Sequence, residues 1–241
     1  MASTSFTLSG KRVAIIGGAS GIGFEIATLA SELGGEVIIG SQRRDSVAAA
    51  VSKMAGAKGA VVDLTDEASV AAFFADLSSL DHLAITAGDW ESMSPKPTAE
   101  IDLTAARSAL DVLFWGAFAA AKHGVSKLSA GGSITLTSGM LTRRPQKGFP
   151  LASAMGGAVE GLVAALAVDI APVRVNAVSP GLTLTDVVKS MPSEFIDAAV
   201  SRLPIPRGAE PSETASAYIY SMLNTYITGQ VLPVDGGGSV V

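Results

Sequence analysis

From Arg12 onward the chain alternates short runs rich in Val, Ile and Ala with stretches of helical spacing, and this alternation restricts the fold more than any other feature. RVAIIG (12–17), EVIIG (36–40), GAVVDL (59–64), HLAITAG (82–88), GSITLTSG (132–139), VRVNAVSPG (173–181) and QVLPVDGG (230–237) read as strands. Between them, helices are expected over 23–33, 45–54, 104–127 and 156–170, with another opened by Asp66-Glu67, acids that suit the positive end of a helix. Strand runs that are apolar on both faces imply a parallel sheet covered by helices on each side. The expected class is α/β, a doubly wound parallel sheet of about seven strands. No linker, charge block or repeat divides the 241 residues, so 1–241 is expected to be one domain.

Composition narrows the chemistry. There is no cysteine and there are only two histidines, which removes disulfides, thiolate metal sites and any zinc spacing. A net charge of −5 argues against a nucleic-acid footprint. The longest uninterrupted apolar run, 112–121, is far short of the ~20 residues a bilayer span needs. The opening residues MASTSFTLSGKR carry no signal-type apolar core, so a cytoplasmic location with no membrane partner is expected.

The first strand ends in GGASGIG, with glycines at 17, 21 and 23 before a helix. Such a turn lets backbone N–H groups approach a pyrophosphate at the positive end of a helix. A glycine triad alone is weak, because structural turns use glycine too. Here it is followed in order by Asp63-Leu64, TAG (86–88), SPG (179–181) and DGG (235–237).

On these motifs the chain resembles the short-chain dehydrogenase/reductase family over essentially its full length, with TAG standing where that family usually has NNAG. The resemblance implies a Rossmann-like fold. It places Gly17, Ser20, Gly21, Ile22 and Gly23 along the pyrophosphate, and Asp63 and Leu64 beside adenine. Ala87 and Gly88 would lie beneath the ribose and nicotinamide, and Pro180, Gly181 and Thr185 at the carboxamide end. After the second strand, Ser41 stands where NAD-binding members usually have a carboxylate, and Gln42, Arg43 and Arg44 follow. With no acid to repel a 2′-phosphate and an arginine to pair with it, NADP(H) is expected over NAD(H).

The family's catalytic set is a serine after the fifth strand, a tyrosine about a dozen residues later, a lysine four beyond that, and a helix asparagine. Ser138 fits the serine. By register Leu151 stands at the tyrosine, Met155 at the lysine and Leu113 at the asparagine. The chain has three tyrosines, at 218, 220 and 226, none with a lysine four later. The expectation is a reductase pocket with an apolar wall in place of its acid/base pair. Arg143 and Arg144, with Asp89 and Trp90 after TAG, are candidates to face the substrate beside Leu151 and Met155. No metal is expected.

Three readings follow: an NADP(H)-dependent reductase of an already polarised acceptor such as an iminium or enone, a non-redox isomerase or cyclase using the same pocket, and a catalytically silent nucleotide-binding protein. The segment 186–208 is expected to be a substrate lid. Its apolar side chains (Val187, Val188, Met191, Phe195, Ile196) suggest a small hydrophobic ligand. The resemblance also implies a homodimer or homotetramer built on the two long helices.

Overall fold

In the computed structural model, which describes residues 6–88 and 95–241, seven strands form one sheet in the order β3-β2-β1-β4-β5-β6-β7. They are β1 (Arg12–Ile16), β2 (Glu36–Ser41), β3 (Lys58–Val61), β4 (Leu80–Ile85), β5 (Leu128–Thr137), β6 (Arg174–Pro180) and β7 (Val231–Val234). Every pairing is parallel. The order reverses between β1 and β4, the switch point at whose carboxyl edge open α/β sheets take their ligands.

Strand side chains alternate between two cores. Val13 and Ile15 of β1 enter one, with α1 (Gly21–Glu32), α2 (Arg44–Ser52) and α9 (Pro211–Leu223). Ala14 and Ile16 enter the other, with α3 (Glu67–Ala75), α5 (Ala117–Gly124) and α6 (Pro150–Asp169). Both faces of the sheet are thus dry, which is why the strands read as unbroken apolar runs.

Two helices differ from expectation. The span 104–127 is α4 (Leu103–Leu110), a π-helical turn over Asp111–Gly116, then α5 and a short 3-10 turn. Leu113 sits in the π turn. A β-carbon on Gly116 would lie 2.6 Å from Cβ of Leu64, so this segment crosses the β3–α3 connection closely. Helix α6 begins six residues earlier than expected, because Pro150 supplies a preset φ and no wasted N–H at its first turn. The LASAM stretch is therefore helical. At 20 residues α6 is long and apolar enough to cross a membrane by composition, but Met155, Val159, Leu162, Val163 and Leu166 bury its inner face on the sheet.

Past β6, two short helices, α7 (Asp186–Lys189) and α8 (Ser193–Val200), fill the proposed lid segment, with Val187, Met191 and Phe195 exposed. Its far end is held at α9, where Glu213 receives both guanidinium ends of Arg207 and caps the Glu210 backbone.

Candidate functional site

The turn after β1 is built by close backbone approach. Gly17 has φ 94°, and a β-carbon there would fall 2.5 Å from the Ala87 nitrogen and 2.6 Å from Thr86 Oγ1. One on Gly23 would meet the Gly17 carbonyl and Thr86 Oγ1. Gly21, φ 53°, faces Thr185 Cγ2, which brings the chain just before 186–208 over the turn. Gly17, Gly23 and Ala87 therefore pack together, with Thr185 against Gly21. Gly88 follows just past β4, and Gly181 donates its N–H to Val234 O at 2.9 Å with Asp235 packed against it. Pro180 is buried at the end of β6.

Helix α1 starts at this turn with no side-chain cap from Ser20 and no acid in its first turn. Its leading N–H groups are left for an anion, and the glycines at 17, 21 and 23 keep side chains off the turn. The residues present fit a dinucleotide pyrophosphate.

At the end of β2, Gln42 Nε2 donates to Asp63 Oδ2 at 2.8 Å. Asp63 also accepts from the Thr65 hydroxyl at 2.7 Å and the Thr65 N–H at 2.9 Å. The Thr65 hydroxyl is the main reason its carboxyl is held below the usual range. The N-cap of α3 is Asp66, whose carboxylate accepts from the Ala68 N–H, so Asp63 is free of that duty. The side chain of Leu64 is buried in the core. Ser41 is half-buried, and Arg43 and Arg44 are exposed at the start of α2, in no ion pair among the described residues.

Ser138 follows β5 directly, its N–H bonded to Val178 O at 2.8 Å. It is 7% exposed. Its hydroxyl donates to Glu160 Oε1 at 3.0 Å, with Gly156 O at 3.5 Å. A β-carbon on Gly156 would collide with Thr142 Oγ1 and stand 3.3 Å from Ser138 Oγ. Thr142 Oγ1 is itself buried with no hydrogen-bond partner. The row of α6 beside the end of β5 is thus 156 and 160, with Ala152 one turn earlier. Met155 is 3% exposed, on the buried face of α6 that also carries Val159 and Leu162. Leu151 does border a small cleft, with Lys96, Ile101, Asp102, Phe149 and Ala152.

The phenols lie elsewhere. Tyr218 is fully buried on the opposite side of β5, its hydroxyl 2.7 Å from Thr137 Oγ1, and burial pushes its ionisation far up. Tyr220 is half-exposed and takes a hydrogen bond from Asn224, while Tyr226 is wholly exposed. Arg144 is exposed, and Arg143 reaches Val231 O at 3.4 Å. Asp89 and Trp90 lie outside the described residues. His123 pairs with Glu67 at 3.0 Å on the surface. Among the described residues no group of acids and histidines is placed to hold a metal.

The sequence reading missed Glu160, Thr142 and Gly156. A helical row at 152, 156 and 160 was available as a signal, once α6 is started at Pro150 rather than after LASAM.

A family model described as enoyl-(acyl carrier protein) reductase matches residues 17–239. Among curated proteins, the short-chain dehydrogenase/reductase ucsE of an Acremonium species is 33% identical, covering 98% of each chain. Two solved structures are similar throughout. A small-chain dehydrogenase in complex with NADPH is 37% identical at TM-score 0.83, covering 96% of this chain and 99% of its own. The MalC reductase/Diels-Alderase of Malbranchea aurantiaca is 31% identical at TM-score 0.89, covering 99% of each.

Proposed function

Since the chain belongs to the short-chain dehydrogenase/reductase family, we propose that it is an NADP(H)-dependent reductase whose pocket works without a phenol–ammonium pair and whose acceptor is already polarised, an iminium ion or a conjugated enone. The carrying observation is the composition of the start of α6, from Pro150 to Gly156. Leu151, Ala152, Met155 and Gly156 supply no acid or base, and no tyrosine lies on α6.

NADPH, when bound, supplies a hydride. Gly17, Gly21, Gly23 and the uncapped start of α1 would hold its phosphates, Asp63 would accept from adenine, and Arg43 or Arg44 would pair with a 2′-phosphate. The NADPH bound by one similar structure supports this choice over NAD(H). Reducing a ketone leaves an alkoxide that needs a proton in the transition state, a contribution of roughly 10²–10⁴-fold. Hydride arriving at the carbon of C=N⁺ moves the π pair onto nitrogen and leaves a neutral amine, so no proton is required. An enone delays that need by spreading the charge. Ser138 would orient the acceptor, Leu151 and the exposed apolar residues of 186–208 would enclose it, and Arg144 would lie at the rim.

A second reading, a non-redox cyclase using the same apolar pocket, draws support from the similar structure named as both reductase and Diels-Alderase. It predicts turnover that is indifferent to the oxidation state of the nucleotide. The exposed side chains of Trp115 and Phe118, three residues apart on one helical segment, support a homodimer or homotetramer.

The test is NADPH oxidation with a cyclic iminium, an enone and a ketone of matched size. The first two should exceed the ketone by roughly 10²-fold. A ketone reduced as fast as either would overturn the reading.

A further inference from the structure

A serine hydroxyl has one hydrogen and two lone pairs. In Ser138 that hydrogen is directed at α6, toward Glu160 Oε1 at 3.0 Å and Gly156 O at 3.5 Å. A carboxylate accepts only, so the polarity of this contact has one sense. What Ser138 has left for a ligand is acceptor capacity. The glycine at 156 makes the contact possible, since a side chain there would crowd both Thr142 and the serine oxygen.

We infer that Glu160 is a positioning residue that fixes Ser138 as a hydrogen-bond acceptor, so that the site selects acceptors carrying an N–H, such as a protonated cyclic iminium, over neutral carbonyls. This rests on the reductase reading of the pocket and narrows its substrate class. A carbonyl oxygen needs a donor and meets none in Ser138. An iminium N–H meets a lone pair, with the charge of Glu160 behind it. A charge-assisted bond of this kind is roughly twice as strong as a neutral one.

The experiment is calorimetric titration of the NADP⁺-bound protein with piperidinium, the product-side amine, and with cyclohexanone, a dead-end ligand of matched size. The wild type should favour piperidinium by about tenfold, equivalent to about 1.4 kcal/mol. In Glu160→Gln the amide can donate to Ser138 and release the serine hydrogen toward the pocket, so the preference should reverse. In Ser138→Ala it should vanish although Glu160 remains. Melting temperature and NADP⁺ affinity report folding in each variant.

A wild type without preference, or with no binding of either ligand, would overturn the inference. So would a Glu160→Gln variant that weakens both ligands alike, as a purely structural tie predicts. Preference that survives Ser138→Ala would assign it to the general field of Glu160 and contradict the role of the serine. The reductase reading fails separately, if no acceptor oxidises NADPH.

Discussion

His82 shows how a residue legible only as a letter in a strand acquires a measurable property. It begins no site: its Nδ1 lies 2.9 Å from Ser133 Oγ, at 5% exposure, and the strand registers place Ser133 beside Arg174. Burial, with the Arg174 charge adding to it, pushes its pKa down to about 4. The folded value is below the unfolded one of ~6.5, so the unfolded chain takes the proton first. Stability is whole above pH ~6.5 and is lost as the pH falls toward 4, by about 3 kcal/mol over that window. Urea unfolding at several pH values should show the loss in the wild type and a flatter profile in His82→Gln; equal slopes would place His82 in contact with water. At this scale the position of Ser138 at the end of β5 was readable from its motif, whereas its contact with Glu160, 22 residues on, needed α6 to be started at Pro150 before 152, 156 and 160 fell on one row.

At the scale of elements, the glycine turn was the most readable part, since its requirement is local. Gly23→Ala would set a methyl group against the Gly17 carbonyl and 2.5 Å from Thr86 Oγ1, so the turn or β4 must shift. NADPH affinity, read by fluorescence titration, should fall at least about tenfold while the far-ultraviolet spectrum stays native, since tenfold is only about 1.4 kcal/mol. Unchanged affinity would mean the phosphates bind elsewhere. The helices were less readable. Periodicity alone ran 104–127 as one helix, and the π turn at Asp111–Gly116 falls where Gly116 passes close to Leu64, a contact between distant segments. The start of α6 was misjudged because the helical face of PLASAM becomes visible only when Pro150 is taken as its first residue.

For the whole molecule, the two-sided burial of the strands was written in their composition, and with it the parallel sheet and its two helical layers. The strand order was not, because local pattern does not say that β4 returns beside β1. The order matters for function, since it brings Gly17, Ala87 and Thr185 from three separate connections to one cradle. Beside that cradle, the first two turns of α6 carry small and apolar side chains, and Glu160 follows one turn after Gly156 against Ser138. The central claim is that the cradle survives as a working hydride site while the start of α6 restricts it to polarised acceptors. Single turnover with NADPH deuterated at the nicotinamide C4, followed by mass spectrometry of the product, tests it directly. The account predicts one deuterium on the former iminium carbon or the enone β-carbon, and little on a matched ketone. Label on none of the three, or label on the ketone at the same rate, would contradict it.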